Sequence, residues 1–164
     1  MQSVELTTSR GLPLIARTGK FSEFPESVRH YIVHTWVARH IRSIQTGGKQ
    51  GRKGRQDRLR VRIENILSLP TTRVVVTEWP GDEAKDGRII GFAIAGGHSV
   101  VHYIYVRRVY RHGGAGQLML GLVARGRECL DATHWSKNLP VSGELRVPLL
   151  PSIFYVGFDR MERP

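Results

Sequence analysis

Three glycines, Gly113, Gly114 and Gly116, stand between the basic pair Arg111–His112 and the aliphatic run QLMLGLV. An ordered glycine costs backbone entropy, so three together need a geometric reason. Either the chain turns tightly there, or its backbone must come close to something bound. The first N–H groups of a helix have no internal partner, and its dipole leaves the equivalent of about +0.5 charge at that end. A glycine loop feeding such a helix can wrap those N–H groups around a phosphate or pyrophosphate, with Arg111 and His112 adding positive charge at the rim. Two familiar phosphate loops do not fit. No Lys-Ser or Lys-Thr follows the glycines, which excludes a P-loop, and Met119 stands where a dinucleotide fingerprint needs its third glycine.

Other side chains here can move protons. His98, Val100, His102, Ile104 and Val106 alternate along one apolar stretch, and Glu78 ends the run VVVTE. An imidazole with a pKa near 6.5 can take a proton from an amine directly or through water. A single cysteine, Cys129, excludes an internal disulfide and fits a reducing compartment. No metal site is expected. Lys plus Arg number 25 against 14 acidic residues, a net +11, and seven of the basic residues fall between Lys49 and Arg62 with one Asp. Such a field attracts polyanions without choosing among them. It suits nucleic acid or an acidic protein and repels a lysine-rich tail. No run approaches the roughly 18 apolar residues of a membrane helix, and MQSVELTTSR lacks the apolar segment of a signal peptide, so a cytoplasmic protein with no membrane partner is expected.

The elements that must position these groups follow from periodicity. Residues 3 to 8 and 12 to 17 read as short extended segments split by Gly11 and Pro13. FPESVRHYIVHTWVARHIRSI reads as a helix with Val33, Val37, Ile41 and Ile44 on one face. Residues 45 to 56 read as a mobile basic loop, and a second helix starts at Asp57 as N-cap. The period then changes: TRVVVTEW, RIIGFAIAGG and SVVHYIYV read as three strands of an antiparallel meander. The glycine loop opens a helix from Gly116 to Leu130, which would carry Cys129 as a packed small residue. A proline-punctuated tail ends in the strand SIFYVGFDRM. One α+β domain over residues 1–164 is the result, with no repeats and no linker of domain length.

RHGGAG, Arg111 to Gly116, matches the [Q/R]-x-x-G-x-[G/A] pyrophosphate loop of the GCN5-related N-acetyltransferases. HYIYVRRVYRHGGAGQLMLGLV resembles that superfamily's strand, basic turn, glycine loop and helix in one piece. IIGFAIAGG is similar to its preceding strand, and FYVGFDRM resembles its closing Y-x-x-x-G-F region, one residue short. The likeness covers about residues 25 to 160 and extends to small transferase-like proteins of phage genomes. It implies a GNAT-like fold, a central, mostly antiparallel, splayed sheet flanked by helices, with a bulge opening a cofactor slot near Ile104 to Arg107.

The resemblance also assigns roles. Val106 and, two residues back, Ile104 would grip the pantetheine arm and acetyl carbonyl of acetyl-CoA through their backbone. Arg111, His112, Gly113, Gly114, Ala115 and Gly116 would hold the pyrophosphate, and Arg107 or Arg108 would either reach the adenosine 3′-phosphate or lie on solvated surface. Relatives place a tyrosine after the last helix as the acid for the leaving thiolate, and Tyr155 is the nearest match. Some use a glutamate base on the cofactor-gripping strand; here His102 and His98 flank its place, and Glu78 is a further candidate. Trp36 and Trp135 stand near the acceptor channel or in the core. The expected function is coenzyme A-dependent transfer of acetyl to an amine. The alternative is a nucleic-acid-binding or nucleic-acid-modifying protein of the same fold, acting through its basic 49–62 segment.

Overall fold

In a computed structural model of the chain, residues 1–43, 49–80, 89–97, 100–124, 129–132 and 152–155 are described, the last two segments as backbone. Gln2–Thr7 (β1) and Pro13–Gly19 (β2) form a hairpin. Two helices follow, Glu26–Ser43 (α1) and Lys49–Ser68 (α2), and then Arg73–Glu78 (β3), Ile89–Gly96 (β4) and Val100–Val106 (β5). Ala115–Ala124 (α3) precedes Cys129–Ala132 (β6) and Ser152–Tyr155 (β7). The strands lie in one sheet in chain order. Each strand from β1 to β5 runs antiparallel to its neighbour, while β6 runs parallel to β5 and β7 parallel to β6. The fold is α+β, a mostly antiparallel sheet with helices on both faces.

Alternation along the β-branched strands sorts side chains between the two faces. Val74, Val76, Phe92 and Ile94 pack with Ile32, Val33 and Trp36 of α1 and Ile63 and Leu67 of α2. Val75 and Ala93 face the other way, onto Met119 of α3, and Val101 meets Leu120 and Ala124. Each large aliphatic side chain buried this way contributes about 1.5–3 kcal/mol, far more than local propensity does.

That packing corrects three expectations. The backbone is helical from Lys49, so Gly51, Gly54 and Asp57 lie inside α2 rather than in a loop or at a cap. Each glycine costs a helix about 1 kcal/mol against alanine. The Lys, Gln and Arg residues between them are good helix formers, and the helix is anchored beyond them by Ile63 and Leu67. Second, α3 ends at Ala124, and Cys129 belongs to β6, where strand pairing with β7 claims its backbone. Third, the bulge lies earlier than expected. Ile94 pairs with Tyr103 but Ala95 pairs with Val101, leaving His102 as the extra residue on β5.

Candidate functional site

After β5 the chain makes a 3-10 turn, Arg108–Tyr110, and enters the glycine loop. His112 adopts φ 68° and Gly114 φ 86°, both left-handed. Gly114 then caps α3: its carbonyl accepts the first helical bond, from Leu118 N–H at 3.0 Å. The N–H groups of Ala115, Gly116 and Gln117 therefore have no partner within the helix. The glycines differ in why they are there. A Cβ on Gly113 would lie 3.1 Å from Leu12 Cδ2, and one on Gly114 would lie 3.1 Å from Thr8 Cβ, so the β1–β2 turn crowds both. Among the described residues a Cβ on Gly116 would meet only Val106 Cγ2, at an ordinary 3.6 Å. The packing of the described residues does not require glycine there.

Val106 ends the second half of the site. Arg107 N–H donates to Ile90 O at 2.8 Å, so Arg107 faces β4, and by alternation so do Tyr105 and Tyr103. The N–H and C=O groups of Ile104 and Val106 then point to the opposite edge. There, among the described residues, β6 pairs with β5 at Val100 and Val101, just before the His102 bulge. The described part of β6 ends at Ala132, opposite Val101, and the bulge bends β5 beyond that point. Among the described residues no strand pairs with the edge that Ile104 and Val106 present, and this edge ends beneath the start of α3. Arg111 Nε donates to Val106 O across 3.3 Å, which fixes the direction of that carbonyl. Gly91 lets β4 come close at this end: a Cβ there would collide with Tyr105 O and stand 3.0 Å from Met119 Cε.

The α1 side of β5 is aromatic. Trp36 stacks on Tyr103, centroids 5.1 Å apart, and Phe92 contacts Tyr31, Tyr103 and Tyr105. Two guanidiniums cap the cluster. Arg107 lies 5.3 Å from the Tyr31 ring centroid and donates through Nε to Tyr31 Oη at 3.1 Å, and Arg39 lies 5.6 Å from the Tyr105 centroid. Burial raises the pKa of Tyr103 and Tyr31 above the ordinary phenol value, so both keep their protons.

The expected site residues separate. Ile104, Val106 and Arg111 to Gly116 come together around this edge of β5 and the start of α3. His102 does not join them. The bulge turns it from the face shared by Ile104 and Val106, and its ring lies over Gly96, where a Cβ would strike Nε2. It is 2% exposed, and desolvation lowers its pKa to about 4. Such an imidazole cannot hold an amine's proton near neutral pH. Glu78 ends β3, two strands from β5, and pairs with Arg17 at 3.1 Å. Trp36 is fully buried, in the core rather than a channel. Tyr155 is placed by its backbone: it pairs with Ala132, which pairs with Val101. His98 and Trp135 lie outside the described residues, as does the chain after Tyr155.

No family model matches the chain, and no curated protein matches it. A solved structure of AAC(6')-Iy, in complex with the bisubstrate analogue CoA-S-monomethyl-acetylneamine, is similar over 76% of this chain and 82% of that one, at 15% identity and a TM-score of 0.39. At that distance the site rests on its own geometry.

Sequence reasoning passed over Tyr31, Tyr103 and Arg39. The signal was present in part: Tyr103, Tyr105 and Arg107 alternate along β5. What periodicity could not supply was the helix crossing that sets Tyr31 and Arg39 of α1 against them. Among the described residues no helix is long and apolar enough to cross a membrane, and no cluster of three metal-ligating side chains occurs.

Proposed function

We propose that the protein is a coenzyme A-dependent N-acyltransferase of the GCN5-related kind, moving acetyl from acetyl-CoA to an amine by direct attack. The observation that carries this reading is the meeting of two half-sites at Gly116 and Val106. N–H groups at the start of α3, without partners inside the helix, stand beside a backbone edge of β5 that no described strand pairs. One half suits a pyrophosphate and the other an extended amide chain, which adds to a free strand edge by backbone hydrogen bonds. Gly116 leaves room between them that no described residue fills.

In this reading Ala115, Gly116 and Gln117 donate N–H groups to the pyrophosphate, with Arg111 and His112 at the rim. For this Arg111 must release Val106 O, an exposed contact that is cheap to exchange. Ile104 and Val106 then hold the pantetheine amides, and the Val106 N–H polarises the thioester carbonyl. Acetyl-CoA supplies the activated acyl group when bound. Tyr155, paired through Ala132 with the start of β5, is the proton donor proposed for the departing thiolate. Glu78, 13% exposed, is the proposed base and acts through water; His102 is a packing residue.

Thermal unfolding with acetyl-CoA, free coenzyme A and ATP tests this. A ligand at 100 times its Kd adds about 2.7 kcal/mol, a rise of about 5–10 °C for a chain of this size. A rise with both coenzyme A forms and little with ATP supports the reading. No rise with any of them overturns it in favour of polyanion binding by the basic stretch of α2.

A further inference from the structure

The two faces of β5 are unlike in charge and in kind. On the α3 side, Ile104 and Val106 offer aliphatic groups around Met119. On the α1 side, Arg39 and Arg107 sit on tyrosine rings, and Arg111 is close enough to act with Arg39 on the charge of Tyr103. Elsewhere arginines find carboxylates: Arg17 pairs with Glu78, and Arg60 with Glu64. Among the described residues no carboxylate lies within ion-pair distance of Arg39, Arg107 or Arg111. Arg107 is also half-buried and held by Tyr31 on the α1 side, which leaves the adenosine 3′-phosphate to Arg108, and its planar fork is oriented before any ligand arrives.

We propose that the acceptor amine belongs to a molecule carrying an oxyanion, a carboxylate or a phosphate, and that Arg39 and Arg107 receive that anion over Tyr105 and Tyr31. This rests on the acyltransferase reading above. With the glycine loop and α3 taking the cofactor on one face of β5, the acceptor reaches the edge of Ile104 and Val106 from the other face, where these arginines stand. A guanidinium stacked on an aromatic ring and lacking a carboxylate keeps its fork free for an oxyanion. A polycationic acceptor would enter against Arg39 and Arg107 and find no carboxylate beside them among the described residues. The anion also anchors the acceptor at one end, leaving its amine free to reach the edge of β5.

The test uses the full chain, without cofactor first. β-Alanine, O-phosphoethanolamine and 1,3-diaminopropane are titrated at low salt and followed by tryptophan fluorescence, to which Trp36 on Tyr103 contributes. A saturable response is expected from an anion-bearing amine and none from the diamine, with the carboxylate and phosphate arms identifying which anion fits better. Arg107→Gln and Arg39→Gln should each weaken that binding about tenfold, the worth of one charge-assisted hydrogen bond, and Arg107→Lys should recover only part of it. With acetyl-CoA present, the same substitutions should raise the acceptor KM and leave the acetyl-CoA KM unchanged. Stronger binding of the diamine, no response to either anion-bearing amine, or a response untouched by both substitutions overturns the proposal. Each of these outcomes is separate from the coenzyme A shift. A protein that binds coenzyme A but prefers the diamine keeps its reaction class and loses this acceptor.

Discussion

Gly116→Ala is the substitution that best separates a glycine kept for a ligand from one kept for the fold. Gly116 is the second residue of α3, and among the described residues a Cβ there would meet only Val106 Cγ2 at 3.6 Å. The free protein should therefore accept alanine and gain from it, since alanine reduces unfolded-chain entropy and suits a helix. The expected gain is about 0.5–1 kcal/mol, or about 1–4 °C. The ligated protein should lose. A helical Cβ tilts toward the N-terminus, into the space over the N–H groups of Ala115, Gly116 and Gln117. A pyrophosphate oxygen must come within about 3 Å of those nitrogens, and the methyl group holds it off. One charge-assisted bond lost is about 1.4 kcal/mol or more, a tenfold weaker Kd. Thermal unfolding without ligand and calorimetric titration with coenzyme A read the two effects independently. A more stable variant with unchanged coenzyme A affinity would refute the pyrophosphate assignment. A less stable variant would show that the space above Val106 is not free. Gly114→Ala is the control: at φ 86° and 3.1 Å from Thr8 Cβ, it should destabilise the free protein by about 1–2 kcal/mol.

Further outcomes follow from the packing. Gly91→Ala drives a methyl group into the Tyr105 carbonyl and Met119, and should cost about 2–3 kcal/mol by urea unfolding; a cost under about 0.5 kcal/mol would mean β4 and β5 part easily. Trp36→Ala empties a fully buried site stacked on Tyr103 and should cost about 3–5 kcal/mol, with near-ultraviolet circular dichroism reporting the loss. His102 is held neutral, its pKa lowered from 6.5 to about 4 by burial, so it contributes stability that is fully present above pH 6.5 and is lost as pH falls toward 4. The unfolded chain binds the proton first in that window, and the total is about 3 kcal/mol. His102→Gln should flatten the urea midpoint between pH 4.5 and 7 relative to wild type, leaving a residual slope from His40, whose pKa burial and Arg62 also lower. An equal slope in both proteins would show that His102 reaches solvent.

The chain's own pattern determined the class of fold and the place of the glycine loop. Runs such as VVVTE and IIGFAIAGG have period two and β-branched residues, local properties that survive in the strands β3 and β4. The switch from period 3.6 to period two fell where helix gives way to strand, because each rests on which residues share a face a few positions apart. RHGGAG could be found because left-handed conformations and close approaches demand glycine locally. Tertiary contacts decided the rest. Burial of Ile63 and Leu67 anchored a helix whose early residues, with Gly51 and Gly54, read as a loop. One inserted residue at His102 exchanged the faces of β5 behind it, and no periodicity announces a bulge because its cause is the partner strand. Glu78 gained an ion-pair partner in Arg17 of β2, far away in sequence. The aromatic and arginine face exists only because α1 crosses β5, setting Tyr31 beside Arg107 and Arg39 beside Tyr105. A local pattern records which side chains share an element's face, and only packing records what that face meets.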